Sequence, residues 1–140
     1  MKLLLAADGS AFTQKALDFL AMHRELMAGT DPLVVINVQP PVSGQVATML
    51  GSADVAAYHG EEAAKVLEPV GQWLAQHNMA CRCLSAVGSA VDEIIATAAR
   101  ENVDMIVLGT HGHGWLDRAL MGSVAQSVVT DSNLPVLLVK

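Results

Sequence analysis

The segment of residues 106–126, IVLGTHGHGWLDRALMGSVAQ, holds the densest group of residues that could do chemistry. Glycines and two histidines follow an apolar run, and a serine at position 123 precedes a pattern typical of a helix. Such a segment can form a phosphate-binding loop, a metal site, a catalytic loop or a turn without a chemical role. Which of these roles is possible depends on the strands and helices that position the segment.

Two common phosphate-binding motifs are absent from this segment. A P-loop requires a lysine directly before Ser123, where the sequence has Met-Gly. A dinucleotide-binding fingerprint requires G-x-G-x-x-G directly after the first strand. The pair Gly112 and Gly114 comes much later, and an aspartate stands where the third glycine is needed.

Three other chemistries match the sequence only in part. The N-terminal LLLAADGS is close to the D-x-D-G-[ST] signature of haloacid-dehalogenase-type phosphatases, but Ala6 stands where the nucleophilic carboxylate is required. His111 and His113 could bind a metal ion, yet nothing nearby in sequence provides a clear third and fourth ligand. The same histidines are two positions apart, instead of the three of the nucleotidyl transferase motif H-x-G-H.

The spacing Gly109-x2-Gly112-x9-Gly122-Ser123 leaves two interpretations open. Glycines permit positive φ and close backbone approach, so that successive N–H groups can turn inward around an anion. A helix that opens at Gly122–Ser123 would add its unpaired N–H groups, its dipole and a hydroxyl. Alternatively, the glycines only shape a loop and Ser123 caps a helix.

Strands and helices alternate along the chain in the predicted secondary structure. Apolar runs predict strands at 2–7, 33–38, 81–87, 104–109 and 134–139, and helices are predicted at 10–27, 53–77, 93–101 and 123–131. Ser10 and Ser89 are the expected helix caps. Residues 39–52 are expected to be a long loop or lid, and Gly60 and Pro69 predict a break or kink in the second helix.

This alternation predicts a single α/β domain over residues 1–140, with a parallel sheet covered on both faces. Ligands of such sheets bind beyond the carboxyl ends of the strands, where the strand order reverses. The loops at 8–10, 38–39 and 109–123 lie at that end. The glycine-rich segment is therefore expected where a ligand would bind.

Composition and charge exclude several classes of protein. The net charge of −6 provides no basic surface for nucleic acid or an anionic membrane. Cys81 and Cys83, in a C-x-C spacing without further cysteines, are expected to be small core residues. The apolar start ends at Asp8, too early for a signal peptide, and no apolar stretch approaches a membrane span. We expect a cytoplasmic protein.

The order of several motifs resembles the universal stress protein family over essentially the whole chain. The glycine spacing G-x2-G-x9-G-[ST] after the fourth strand is similar to the nucleotide-binding motif of that family. The first strand leading into DGS, the strand VVINV, the segment VGSAVDEIIATAARENVDMIVLGTHGHG and the ending GSVAQSVVTDSNLPVLLVK resemble the family in the same order.

The resemblance implies a doubly wound five-stranded parallel sheet of order 3-2-1-4-5, like that of adenine nucleotide alpha hydrolases, with ATP bound across the ends of the first and fourth strands. It implies that Asp8 meets the ribose or the metal-phosphate region, that Val38 meets adenine, and that Gly109 lies by the ribose. The implied nucleotide-binding residues are Asp8, Gly9, Ser10, Val38, Gly109, His111, Gly112, His113, Gly122, Ser123 and Val124. The implied cofactors are ATP (or AMP or ADP) and Mg²⁺, with Asp8 as the metal ligand, and no catalytic residue is assigned.

The sequence departs from the family pattern at three places. Position 113, often basic in ATP-binding members, is His113 and is mostly uncharged at neutral pH. Ala6 replaces the proline that commonly precedes DGS, and Ser89-Ala90 replaces the usual acidic-proline start of the third helix. The first change bears on triphosphate binding, and the other two bear on loop shape.

The expected function is that of a cytoplasmic, ATP-binding stress protein that acts as a sensor or a partner-binding module. The alternatives are a slow ATPase or nucleotidyl- or phosphotransferase that uses the same pocket, and a nucleotide-free dimerisation module. The C-terminal strand, residues 134–139, is apolar and lies at the edge of the proposed sheet, so we expect a homodimer formed through it.

Overall fold

The computed structural model describes residues 1–112 and 121–140. The strands are Leu3–Ala6 (β1), Leu33–Gln39 (β2), Cys81–Val87 (β3), Met105–Gly109 (β4) and Val136–Val139 (β5). The helices within these ranges are Ala11–Met22 (α1), Gly44–Leu50 (α2), Ser52–Gln76 (α3), Ala90–Arg100 (α4) and Ser123–Asp131 (α5), and a short 3-10 helix covers Arg24–Met27.

The strands form one parallel sheet in the order β3-β2-β1-β4-β5, which confirms the predicted topology. The order reverses between β1 and its two neighbours: β2 follows on one side and β4 on the other. The carboxyl ends of these central strands therefore form the crevice in which such sheets bind ligands.

Side chains alternate between two apolar layers, one on each face of the sheet. On one face Leu3 and Leu5 pack with Leu17 of α1 and Leu74 of α3. On the other face Leu4 and Ile36 belong to a cluster formed with α4 and α5. Both layers exclude water from the central strands, and each fully buried leucine contributes about 1.5–3 kcal/mol to the free energy of unfolding.

Residues 39–52 do not form the predicted loop, because α2 lies within them. Ser43 caps this helix: its side chain accepts a hydrogen bond from the Val46 N–H at 3.2 Å. No residue of α2 is buried, and its seven residues are too few for apolar periodicity to identify a helix. The prediction of a loop was wrong for that reason.

Two helix boundaries also differ from expectation. The predicted helix 10–27 ends at Met22, because His23 leaves the helical region with φ −124° and ψ 54°. Of the break or kink predicted in the second helix, the break does not occur, since α3 runs without interruption through Gly60 and Pro69. Because proline has no N–H group, the carbonyl of Lys65, four residues before Pro69, has no helical hydrogen-bond donor. Both residues are exposed, so water can donate to that carbonyl instead.

The two cysteines are less buried than predicted, although Cys81 packs against one of the apolar layers. β3 is an edge strand, which agrees with the interruption of its apolar run by Arg82. Cys81 is half-buried and Cys83 is exposed as a whole residue. The Cys83 thiol nevertheless lies beneath α3, where Sγ would be 3.9 Å from a Cβ built on Gly71. Desolvation of this thiol and the neighbouring Cys81 raise the pKa of Cys83 to about 11.

None of the helices in the described ranges is both long and apolar enough to span a membrane.

Candidate functional site

A cavity of about 490 Å³ opens at the carboxyl ends of β1, β2 and β4 and at the start of α5. Its walls come from both halves of the chain. The lining residues are Ala6, Ala7, Asp8, Thr13, Ile36, Val38, Ala90, Ile94, Leu108, Gly109, Thr110, His111, Gly112, Met121, Gly122, Ser123, Val124 and Ala125. The volume is within the range of small-molecule binding sites.

The cavity has an apolar side next to β2 and α4. Ile36 and Val38 project from β2, Ala90 and Ile94 from α4, and Leu108 from β4, and all five line the cavity. The described residues of this side carry neither an acidic nor a basic group. A flat, largely apolar ring system could be desolvated there, with the backbone of Val38 at its edge.

Asp8 follows β1, the strand that lies between β2 and β4, and lines the same cavity. Its Oδ1 accepts hydrogen bonds from the Ser10 N–H at 2.9 Å and from the Thr13 hydroxyl at 3.0 Å. The turn that follows β1 places Gly9 at φ +79°, a conformation that glycine adopts without strain. Among the described residues that line the cavity, Asp8 is the one acidic side chain, and none is a lysine or an arginine.

Gly109 and Gly112 are required by close packing and not by a left-handed backbone. A Cβ atom on Gly112 would overlap Asp8 Oδ2, and one on Gly109 would overlap Phe12 Cβ. The glycines with positive φ are at other positions, among them Gly9 and Gly88. The expectation that the motif glycines supply positive φ was therefore wrong, whereas the expected close backbone approach is present.

The first turn of α5 faces the cavity without a side-chain cap. Gly122 is the N-cap residue, with φ −67° and ψ 157°, and no side chain of the described residues caps the helix. Ser123 is the first helical residue, so the interpretation in which its hydroxyl caps the helix was wrong. The first N–H groups of a helix have no intrahelical acceptor, and Ser123 and Val124 present theirs at the cavity wall.

His111 belongs to the loop after β4 and is held on two sides. Its ring centroid lies 5.1 Å from that of Phe12 at the start of α1. Its Nδ1 is 3.0 Å from the Thr110 hydroxyl, which is close enough for a hydrogen bond. Gly122 N–H, in turn, donates to the Thr110 carbonyl, so the two ends of the loop are joined at the cavity.

The structure brings most of the predicted site residues together, but not all of them. Eight of them line the cavity: Asp8, Val38, Gly109, His111, Gly112, Gly122, Ser123 and Val124. Gly9 and Ser10 lie outside its lining; Gly9 forms the turn, and the Ser10 side chain caps α1 by accepting from the Phe12 N–H at 3.3 Å. His113 lies outside the described residues.

Sequence reasoning missed Thr13 and Thr110. Thr13 is 5% exposed and Thr110 is 8% exposed, and both line the cavity. A signal for Thr13 was available, since it occupies the apolar stripe of α1 at positions i, i+3, i+4 and i+7 with Ala16, Leu17 and Leu20. A hydroxyl on that stripe, next to the end of β1, needs a buried polar partner.

Within the described ranges, no group of three or more His, Cys, Asp or Glu side chains could hold a metal ion. Among the described lining residues, Asp8 alone offers a carboxylate at the cavity. Mg²⁺ usually keeps several waters and binds through one or two carboxylates together with substrate phosphates. The described residues therefore fit a Mg²⁺ ion that arrives with a phosphorylated ligand, and they do not form a cage for the metal alone.

Comparison with known protein families gives one match that covers the whole chain. The model of the Universal stress protein family matches residues 1–140. Universal stress protein YxiE of Bacillus subtilis is 29% identical over 149 residues, which cover 99% of this chain and 98% of YxiE. Universal stress protein MJ0577 of Methanocaldococcus jannaschii is 38% identical over 80 residues, which cover 57% of this chain and about half of that protein's length (49%).

Solved structures share the same fold. The structure of MJ0577 superposes with a TM-score of 0.83 at 27% identity and covers 99% of this chain and 95% of that chain. An Arabidopsis thaliana universal stress protein family protein with AMP bound has a TM-score of 0.68 at 16% identity, covering 100% and 91% of the two chains. A universal stress protein in complex with cAMP has a TM-score of 0.66 at 22% identity, covering 100% and 97%.

Proposed function

The chain belongs to the universal stress protein family, and we propose that it is a cytoplasmic stress protein that binds adenine nucleotides, in particular Mg-ATP, in the cavity between β1, β4 and α5. One observation carries this proposal: a single cavity is lined by an apolar wall, an uncapped helix N-terminus and, among its described residues, one carboxylate. These three features suit the base, the phosphates and the sugar or metal ion of a nucleotide.

The base would lie against the apolar side of the cavity. Ile36 and Val38 from β2 and Ala90 from α4 provide small and branched side chains without charge. Adenine is flat and weakly polar, so its faces gain from desolvation, and its edge can hydrogen-bond to backbone groups. Bound AMP and cAMP in two proteins of the same fold support this choice of base.

The phosphates would lie at the first turn of α5. The N–H groups of Ser123 and Val124 and the positive end of the helix dipole favour an anion there. The glycines at 112 and 122 let the phosphate oxygens approach the backbone closely. Each charge-assisted hydrogen bond to phosphate is worth about 1.5–3 kcal/mol.

Asp8 would act between the base and the phosphates. A carboxylate at this place can accept a hydrogen bond from a sugar hydroxyl, or it can bind the Mg²⁺ ion that accompanies the phosphates. The described lining residues include no lysine or arginine to neutralise the phosphates. A bound Mg²⁺ ion would supply that positive charge. Affinity for ATP should therefore depend on Mg²⁺ more strongly than affinity for AMP.

The nucleotide would serve as a signal and not as a rapidly turned-over substrate. Fast phosphoryl transfer needs a cation at the β- and γ-phosphates and a group that orients the nucleophile. The described lining residues supply neither a lysine nor a further carboxylate beside Asp8. We therefore propose a sensor or partner-binding role, with a homodimer formed through β5 as the functional unit.

The test is a pair of substitutions on α5 that add the same charge at different places. Ser123→Asp puts a carboxylate at the proposed phosphate site, whereas Gln126→Glu puts one on the exposed side of the same helix, outside the cavity lining. An acidic residue near a helix N-terminus stabilises the helix, so both variants should fold. We expect calorimetry to show Mg-ATP binding for the wild type and Gln126→Glu, and binding at least tenfold weaker for Ser123→Asp.

Native mass spectrometry of gently purified protein gives a second readout, because a co-purified ATP or AMP identifies the bound nucleotide by mass. A wild-type protein that binds no adenine nucleotide at millimolar concentration, or a Ser123→Asp variant that binds ATP as well as the wild type does, contradicts the proposal.

A further inference from the structure

Thr13 makes a set of hydrogen bonds that all end on Asp8 and its turn. Its hydroxyl accepts from the Asp8 N–H at 3.1 Å and from the Gly9 N–H at 3.2 Å, and it donates to Asp8 Oδ1 at 3.0 Å. A threonine hydroxyl has one donor and two acceptor sites, so these three bonds use its full capacity. The residue is 5% exposed and lines the cavity.

We propose that Thr13 is a positioning residue that holds the Asp8 carboxylate in the orientation required for nucleotide recognition. This inference rests on the proposed function, since it assigns a role in that same site. Thr13 acts through Asp8, and the ligand is the sugar or metal-phosphate part of an adenine nucleotide.

The orientation of Asp8 follows from the bonds at one of its oxygens. Oδ1 accepts from both the Thr13 hydroxyl and the Ser10 N–H, which come from α1 and from the turn before it. Two donors on one oxygen restrict both the rotamer and the plane of the carboxylate. Oδ2 is thereby directed at Gly112, where it occupies the space that a Cβ of residue 112 would need.

Capping of α1 does not account for Thr13. The cap is provided by Ser10, whose side chain accepts from the Phe12 N–H at 3.3 Å. A residue at position 13 that served only the core would continue the apolar stripe formed by Ala16, Leu17 and Leu20. Thr13 instead places a hydroxyl at the one point of this stripe that faces the cavity and Asp8.

A carboxylate that is already fixed does not have to be ordered when the ligand binds. Ordering one side chain at a binding site weakens affinity by about twofold to tenfold. Thr13→Val keeps the shape of the side chain and removes the hydroxyl. We therefore expect it to raise the dissociation constant for ATP by about twofold to tenfold or slightly more. Thr13→Ser keeps the hydroxyl and should restore most of the affinity.

A double-mutant cycle separates positioning from a general structural effect. Calorimetric affinities for Mg-ATP are measured for the wild type, Thr13→Val, Asp8→Ala and the double variant. Because Thr13 acts through Asp8, Thr13→Val should change the affinity little once Asp8 is alanine. Equal effects of Thr13→Val in both backgrounds would show that Thr13 acts independently, and that result overturns the inference.

Thr97→Val is the matched control. Thr97 is fully buried in α4, its hydroxyl accepts from Arg100, and it lies outside the cavity lining. This substitution should lower the urea midpoint of unfolding and leave ATP affinity unchanged. If Thr13→Val does not fold, Thr13→Ala is used instead and the same loss of affinity is expected. The smaller side chain leaves room for a water molecule that can accept from the Asp8 and Gly9 N–H groups.

The outcomes distinguish this inference from the proposed function. If the wild type binds no ATP, both are wrong. If the wild type binds ATP and Thr13→Val binds it equally well, the proposed function stands and the role of Thr13 is wrong. A crystal structure of Thr13→Val in which the Asp8 carboxylate still points at Gly112 contradicts the inference as well.

Discussion

Gly112 lies so close to Asp8 that a Cβ atom at position 112 would overlap the Asp8 Oδ2 atom. The end of β1 and the loop after β4 are thus in contact at the wall of the cavity. Any side chain at position 112 must displace the carboxylate that the proposed ligand meets.

Gly112→Ala should therefore weaken Mg-ATP binding by at least tenfold, with little loss of stability, because the new methyl group displaces a side chain and not the core. Gly60→Ala is the control: a Cβ on Gly60 meets nothing within 4 Å, and the residue lies inside α3. It should raise the free energy of unfolding by about 0.5–1 kcal/mol and leave binding unchanged. Calorimetry and urea unfolding measure the two effects, and unchanged ATP affinity in Gly112→Ala would count against the site.

Gly122→Val should also reduce binding, for a reason unrelated to backbone conformation. Gly122 has φ −67°, which every residue adopts, but a Cβ there would lie 3.2 Å from the Thr110 carbonyl oxygen and 3.3 Å from His111 Cα. The valine must push the loop after β4 away from α5, which widens the proposed phosphate site. Calorimetry should show weaker Mg-ATP binding and an unchanged fold by circular dichroism; a variant with wild-type affinity contradicts this account.

Hydrolysis of ATP should be slow or absent. The described lining residues include a single carboxylate and no lysine, so turnover should fall well below the ~1–10³ s⁻¹ of ordinary enzymes. Phosphate release from Mg-ATP is measured for the wild type and for Asp8→Ala. Turnover in the ordinary range that disappears in Asp8→Ala would favour the alternative of an ATPase or transferase.

The homodimer prediction can be tested on the outer edge of β5. The carbonyls of Pro135 and Val139 accept from the N–H groups of Ile106 and Thr110, so these odd-numbered positions pair with β4. The N–H of Leu138 therefore points away from the sheet, where a partner strand would bond to it. Leu138→Pro removes that donor without removing a hydrogen bond to β4 and should give a monomer by light scattering, while Leu138→Val should remain dimeric. A wild-type mass of 14.7 kDa at micromolar concentration excludes the dimer.

The thiol of Cys83 gives a prediction about pH. Its pKa is raised from the ordinary 9.0 to about 11, so below pH 9 it is almost entirely neutral in the folded chain. Alkylation by iodoacetamide at Cys83 should remain slow at pH 8 and increase up to about pH 11. Since the thiol ionises more easily when unfolded, its contribution to stability is present below pH 9 and is lost towards pH 11. Compared with the wild type, Cys83→Ser should lose less stability over that interval; equal pH profiles would contradict the prediction.

The central strands were predictable because they are short, largely apolar runs buried on both sides. Leu3–Ala6 and Leu33–Gln39 are such runs, and their alternation with helices was sufficient to predict a parallel sheet, whereas the strand order was implied by the resemblance to the family. The helix at Gly44–Leu50 was not predictable in this way, because it buries none of its side chains. Cys83 was assigned to the core because a single sequence does not show how exposed each face of an edge strand is.

The site was predictable to the extent that it depends on residues at the ends of strands. Asp8, Val38 and Gly109 end or follow their strands, and the topology brings them together. The role of Thr13 depends on the rotamer of a neighbouring side chain, which a pattern of residue types does not contain. The conformation of Gly112 and Gly122 was likewise not predictable, since glycine is needed there for space and not for its dihedral freedom.

The walls of the cavity come from two segments that are distant in the sequence, residues 6–38 and residues 90–125. A nucleotide bound there would hold these distant segments together, and its binding free energy would be added to that of folding. The addition amounts to about 2.7 kcal/mol when the free ligand is 100 times its dissociation constant. The lifetime of this protein in the cell would then follow the energy supply: when ATP is depleted, a larger fraction of molecules would unfold and be open to proteolysis.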